Sequence, residues 1–139
     1  KAFTSDGWFL SGDIGHIDMD GFVYVTGRKK NMVIRGGEKI YLEDLDRCLF
    51  EDLDIVDCAS IVYCEQGKPD EAWTFIVTAD SQIVPRDEIA TLVRTVLTPR
   101  HMPDRIFFIE RVPRTLSGKA SLRDLLAIGH SLKTERTQQ

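Results

Sequence analysis

Residues 7–26 set β-forming residues on either side of a polar stretch. Ile14, Ile17, Phe22, Tyr24 and Thr26 flank Asp18-Met19-Asp20-Gly21, a composition suited to a tight turn, so a β-hairpin is expected here. Gly27-Arg28-Lys29-Lys30-Asn31 breaks the pattern, and the short apolar run Met32-Val33-Ile34 follows it. Adjacent glycines in Arg35-Gly36-Gly37-Glu38 allow a turn or a close approach of backbone to ligand. Leu42, Leu45 and Leu49 recur at helical spacing, predicting a helix over 42–50 with acidic residues near its start. Two β-branched stretches, 56–64 and 72–79, have strand length, and the loop Glu65-Gln66-Gly67-Lys68-Pro69-Asp70 between them suggests an antiparallel pair. Pro85 opens a helix whose buried stripe is Ile89, Leu92, Val93 and Val96, ending before Pro99. Residues 105–110 read as another strand and 122–128 as a short last helix, while the polar stretch 131–139 is expected to fray as a flexible tail. The fold class is therefore α+β, a short antiparallel or mixed sheet flanked by helices and preceded by a hairpin. The break at 28–31 is the natural boundary between the hairpin, 1–29, and a compact unit, 30–130.

Composition narrows the function classes. The 139 residues carry 18 Lys+Arg against 22 Asp+Glu, a net charge of −4, which disfavours a general binder of nucleic acid or acidic membrane. With 42% hydrophobic and 29% charged residues the chain is globular in type, and its length suffices for a core. No apolar run approaches the roughly twenty residues that cross a bilayer. Cys48, Cys58 and Cys64 are odd in number and lack CxxC spacing, so neither a disulfide framework nor a zinc knuckle is expected. They read as small buried hydrophobes in a reducing compartment. The chain opens on Lys1-Ala2-Phe3, with no initiator methionine or apolar leader, and is expected to be a piece of something longer. It closes on Thr137-Gln138-Gln139 rather than a peroxisomal Ser-Lys-Leu, leaving the cytoplasm as the expected location.

Two motifs mislead. Aligning Gly21 with the glycine of a calcium loop puts His16 at the first ligand position and Gly27 at the last, so Asp18-Met19-Asp20-Gly21 is a turn. Gly118-Lys119 lacks the rest of a phosphate loop, because the earlier glycine falls on Pro113 and the following hydroxyl on Ala120. His16, His101 and His130 show no metal-ligand spacing, and no metal site is expected within this chain.

What remains is three segments in a fixed order. The first is Gly7-Trp8-Phe9-Leu10-Ser11-Gly12-Asp13-Ile14-Gly15, and the second runs from Gly27 through Arg28-Lys29-Lys30-Asn31 and Arg35-Gly36-Gly37-Glu38 to Ile40-Tyr41. The third is Pro113-Arg114-Thr115-Leu116-Ser117-Gly118-Lys119. Each is weak alone; together and in this spacing they are specific. Over residues 7–125 the sequence resembles the C-terminal end of the adenylate-forming superfamily of acyl- and aryl-CoA synthetases, luciferases and adenylation domains. The segments are similar to that family's GW-(F/Y)-x-T-G-D-x-G, GRxKD-(M/L)-I-x-x-G-G-E-x-I-Y-P-x-E-I-E and P-x-T-x-(S/N)-G-K.

The resemblance implies the small C-terminal domain of such an enzyme, with 1–29 as the last hairpin of a large N-terminal domain and 30–130 as a mobile lid. It implies that Asp13 accepts the ribose hydroxyls of ATP and that Arg28 lies near the ribose or phosphates. Lys30 matches the hinge between two catalytic poses, and Lys119 the lysine that contacts the carboxylate and the α-phosphate as acyl-AMP forms. A compact ammonium suits the charge that develops there. Gly36 and Gly37 would line a narrow passage for a pantetheine thiol, a role compatible with a plain tight turn. ATP with Mg²⁺ (bound mainly by the large domain), AMP, a small carboxylic acid, and CoA or a carrier protein's phosphopantetheine are the implied partners, with the large domain itself.

The expected function is that of the C-terminal part of an ATP-dependent carboxylate–CoA ligase, inactive by itself. Alternatives are an aryl-acid adenylating enzyme that loads a carrier protein, toward which Met102-Pro103-Asp104-Arg105-Ile106 leans slightly, a fatty acyl-AMP ligase, and a non-catalytic binding domain. Departures from the family pattern are Ser11 for Thr, Asn31 for an acid, Leu42 for Pro, and Asp44-Leu45-Asp46 for Glu-Ile-Glu. Asp70-Glu71 stands where Gly-Glu is usual. None touches Lys119.

Overall fold

A computed structural model describes residues 3–52 and 54–137, with the side chains of 26–28, 52 and 135–137 outside the description. The first hairpin pairs β1 (Asp13–Ile17) with β2 (Val23–Arg28) antiparallel. Its turn is held by Asp18, whose carboxylate accepts the Asp20 and Phe22 amides at 3.0 and 2.9 Å. Those backbone bonds, Phe22 first, hold the Asp18 carboxyl below the usual range, as a carboxylate that closes a turn on its own backbone does.

A second hairpin, β3 (Met32–Arg35) with β4 (Glu38–Tyr41), leads directly into α1 (Leu42–Asp52). Strand β4 goes beyond the turn-then-helix reading: four residues are too short to show a period, and the strand is visible only through Ile40, buried opposite Val33. The body is a mixed sheet in the order β5 (Ile55–Tyr63), β6 (Glu71–Thr78), β7 (Arg105–Phe108). As expected, β5 and β6 are antiparallel; β7 runs parallel to β6, after α2 (Arg86–Val96) and a single 3-10 turn (Pro99–His101).

Both faces of the sheet are buried, which is why β6 reads as a continuous apolar run. On one face Leu45 and Leu49 of α1 and Ile89 and Val93 of α2 close over Ile55 and Ile76. On the other, Leu125 of α3 (Leu122–Thr137) packs with Ile61, Trp73, Phe75 and Phe107. A small third cluster, Val33, Ile40, Leu42 and Ala72, seats the base of the β3–β4 hairpin against the body.

Two expectations need correction. The stretch from 131 is not a frayed tail as far as 137: α3 continues to Thr137, because Leu132 packs on the core and the Lys133 ammonium stands 5.3 Å from the Tyr63 ring and 5.7 Å from that of Trp73. Residues 138 and 139 lie outside the described residues. Of the cysteines only Cys48 is fully buried; Cys58 is half-buried and Cys64, just past β5, is exposed. Burial pushes the Cys58 thiol up to about 12, which leaves it unreactive.

Ser60 is the polar hub beneath α1. Its amide donates to the Asp46 carboxylate at 3.1 Å, and its hydroxyl bonds that of its cross-strand partner Thr74 at 2.8 Å. The second Asp46 oxygen and one Glu43 oxygen are buried without a partner. Desolvation, only partly opposed by Ser60, pushes the Asp46 carboxyl up to about 6.

The folded chain therefore holds this proton more tightly than the unfolded chain. The stability it contributes is full below about pH 4 and is lost as pH rises through about 6, on the order of 2–3 kcal/mol. Urea denaturation at pH 4 to 7 should show this decline, and Asp46→Asn should flatten it within that window.

Candidate functional site

Lys119 sits on a built turn rather than a slack loop. The Gly118 amide donates to the Thr115 carbonyl at 2.9 Å, and the Thr115 amide to the Lys119 carbonyl at 2.7 Å. Gly118 takes φ +80°, the left-handed step that such a glycine bulge requires. The flanks pair through Arg114 and Ala120, and the Ser121 amide returns to the Pro113 carbonyl at 2.8 Å. Arg114 fastens the turn to the sheet: one guanidinium nitrogen donates to the Gly118 carbonyl at 2.9 Å, and the other to both Asp57 carboxylate oxygens at 2.7 and 2.9 Å. Lys119 is exposed on the return flank, directly after the turn.

Asp13 opens β1 and is the cross-strand partner of Arg28, so the two predicted nucleotide residues share one end of the first hairpin. The Asp13 amide donates to the Ser11 hydroxyl at 3.2 Å, a bond that a threonine hydroxyl at this position could also accept. The Arg28 side chain lies outside the described residues. Lys30 is exposed in the turn that follows β2.

One residue later the chain is bolted to the body. The Asn31 amide group donates to Glu43 at 3.2 Å and to the Ser60 carbonyl at 3.3 Å, while its own carbonyl accepts the Leu42 amide at 3.1 Å. The acid usual at this position could not donate those side-chain bonds.

Gly36 and Gly37 are the two central residues of the β3–β4 turn, at φ +58° and +82°, a conformation open to few other residues. Its flanks are gripped by the segment 99–104. Arg35 donates to the carbonyls of Arg100 (2.7 Å) and Met102 and to the Asp104 carboxylate at 2.5 Å. Glu38 accepts Arg100 at 2.8 Å. Asp104 in turn accepts the Ala72 amide at 2.7 Å.

These anchor points separate the two turns. Lys119 is tied through Asp57, whose partner on β6 is Val77; the glycine turn is tied through Ala72, whose partner on β5 is Val62. Along β6, Val77 is five residue steps from Ala72, roughly 16 Å at strand rise. The structure thus assigns the predicted residues to three places, the first hairpin and opposite ends of one sheet, without gathering them into a single cleft. None of them lines the two main surface depressions, one beside Ile55 and Val84 and the other beside Phe108 and Leu132. Among the described residues no group of three or more His, Cys, Asp or Glu side chains is placed to hold a metal ion, and no helix is long and apolar enough to cross a membrane.

Sequence reasoning missed the fasteners: Arg114 with Asp57, Arg35 with Asp104, and Arg100 with Glu38. Arg114, Arg35 and Glu38 stood within the motifs, but nothing local pointed to their partners.

No family model matches the chain. The indoleacetate–CoA ligase of Aromatoleum aromaticum is 33% identical over 129 residues, which cover 89% of this chain and 24% of that protein. Among solved structures, ATP-bound MatB from Rhodopseudomonas palustris gives a TM-score of 0.76 at 25% identity, covering 89% of this chain and 25% of that one. The amide bond synthetase McbA from Marinactinospora thermotolerans gives 0.74 at 26% identity, covering 89% and 26%. The chain spans about a quarter of the length of the curated relatives it matches.

The Arg114–Asp57 pair is partly exposed, so its worth is about 1 kcal/mol. Arg114→Ala should speed hydrogen exchange at the Thr115 and Gly118 amides roughly five-fold while leaving β6 amides unchanged, as read by NMR.

Proposed function

The chain belongs, as a C-terminal domain, to the adenylate-forming family of acyl- and aryl-CoA ligases, and on that premise we propose that it is the mobile lid of an ATP-dependent acid–thiol ligase. In the first half-reaction a carboxylate oxygen bonds to the α-phosphorus of ATP, the bond to the bridging oxygen breaks, and pyrophosphate leaves. In the second, a thiol attacks the acyl carbon, giving a thioester and AMP.

The observation that carries the reading is the placement of two motif turns at opposite ends of one packed sheet. A rigid body cannot present both to one reaction centre at once, so a swing of the body would deliver them in turn. Lys30 stands where such a swing needs freedom, exposed and one residue before the Asn31 anchor. The chain before it fits a different body: the first hairpin leaves Trp8, Phe9, Ile17, Phe22 and Val25 exposed, apolar surface that a large N-terminal domain would cover.

In the adenylating pose Lys119 would place its ammonium against the attacking carboxylate and the α-phosphate, its turn held by Arg114. Asp13 and Arg28 would hold the nucleotide from the hairpin. Mg²⁺ comes with ATP, held in this reading by the phosphates and the large domain. The glycine turn favours a thiol as the acceptor, because two residues without side chains leave room for a slender arm. CoA is the first choice and a carrier protein's pantetheine the second. By itself the chain should not catalyse, since the acyl pocket lies elsewhere.

In the full-length enzyme, Lys119→Ala should lower carboxylate-dependent ATP–pyrophosphate exchange by about 100-fold or more, while transfer from supplied acyl-adenylate to CoA changes only a few-fold. Full exchange in that variant would remove Lys119 from the chemistry.

A further inference from the structure

The grip on the β3–β4 turn is more elaborate than the hairpin's stability needs. The base of the hairpin is already anchored by Val33 and Ile40 in an apolar cluster. Its tip, where Gly36 and Gly37 are exposed, is closed by the Arg35–Glu38 pair two ladder steps beyond Val33 and Ile40, and polar contacts grip it there. Those contacts take hold of both strands. Arg35 ends β3 and reaches two carbonyls and a carboxylate of the segment 99–104; Glu38 opens β4 and takes Arg100 from the same segment. The Arg100 guanidinium lies against Gly36, 3.4 Å from where a Cβ would stand.

The segment is itself tied down. Asp104 exchanges bonds with Ala72 of β6, accepting its amide at 2.7 Å and donating its own to the Ala72 carbonyl at 2.9 Å. From α2, Arg86 donates to the Pro103 carbonyl at 3.1 Å. The charges pair off, Arg35 with Asp104 and Arg100 with Glu38, so the grip adds no net charge beside the glycines. A planar guanidinium can satisfy three acceptors in fixed directions where an ammonium could not fix the plane.

We infer that Arg35, braced by Asp104, is a positioning residue for the acceptor in the second half-reaction: it sets the place of the Gly36-Gly37 turn so that a passage for the thiol arm is formed in advance. This rests on the reading that the turn faces the acceptor. Loss of the clamp leaves the hairpin's apolar base intact but lets its tip wander, so the acceptor meets a passage that is open only part of the time. The effect falls on acceptor KM and spares the adenylation pose, which uses the other end of the sheet.

The test uses the full-length enzyme with whichever acid gives fastest exchange in a panel of aryl and fatty acids, and CoA as the acceptor. Arg35→Ala should raise the KM for CoA at least ten-fold, with kcat changed less than three-fold and ATP–pyrophosphate exchange within two-fold of the parent. Asp104→Asn, which keeps the shape, should move KM the same way by a smaller factor and serves if Arg35→Ala folds poorly. Arg35→Lys should lie between. Gly37→Leu, which fills the passage, separates the two levels. If it slows transfer while neither Arg35→Ala nor Asp104→Asn shifts KM, the clamp is overturned and the reading of the turn stands. If Gly37→Leu leaves transfer untouched, the reading of the turn fails and the clamp with it. Equal loss of exchange and transfer in Arg35→Ala and Asp104→Asn would show a role in folding only and overturn the inference.

Discussion

Burial of β6 on both faces is the constraint on which the rest of this structure depends. Trp73, Phe75 and Val77 point to α3 and Ile76 to α1 and α2, so every helix is positioned against one strand. Close packing makes such a layer stiff, and a stiff layer turns sequence separation into fixed spatial separation. The two motif turns are attached near the two ends of β6, through Val77's partner Asp57 and through Ala72. Their distance is a property of the core, not of the loops that carry them.

Arginine does the attaching in both places. Arg114 spans a carbonyl of its own turn and a carboxylate of β5; Arg35 spans two carbonyls and a carboxylate of a distant segment. These pairs are partly exposed, where an ion pair adds little to global stability. Their value is directional. A planar fork with acceptors on several edges restricts the orientation of a turn that otherwise has few contacts. The chemistry assigned to Lys119 and to the glycine pair needs that kind of restriction, because a group misplaced by an ångström loses most of its effect.

Ser60 shows how the body takes hold of the chain as it leaves the first hairpin. Its amide, carbonyl and hydroxyl each have a partner from a different element: Asp46 of α1, Asn31 after the first hairpin, and Thr74 of β6. The chain is therefore anchored from Asn31 onward, directly after the exposed Lys29 and Lys30. The cost is a pair of buried acidic oxygens on Glu43 and Asp46 without partners, a local penalty that an apolar core would not incur.

Local pattern was enough for the first hairpin, α1, β5, β6 and α2, whose signals lie in spacings of two to four residues and in turn composition. It was also enough to find the three motifs, and so to name Asp13, Lys30, Gly36, Gly37 and Lys119 as candidates, since each motif is a contiguous string. It could not give β4, too short to show a period, or the last two turns of α3, whose anchor is a lysine lying over aromatic rings. Nor could it pair Arg35 with Asp104, 69 residues on, or Arg114 with Asp57, 57 residues back. Such contacts are set by how strands align within the sheet, and that alignment follows from burying Trp73 and Ile76 on opposite faces rather than from any local propensity. The candidate groups were thus written in the chain as contiguous motifs, while their division between two ends of one sheet was decided by the fold, because strand register and not local pattern sets which turn is tied to which end.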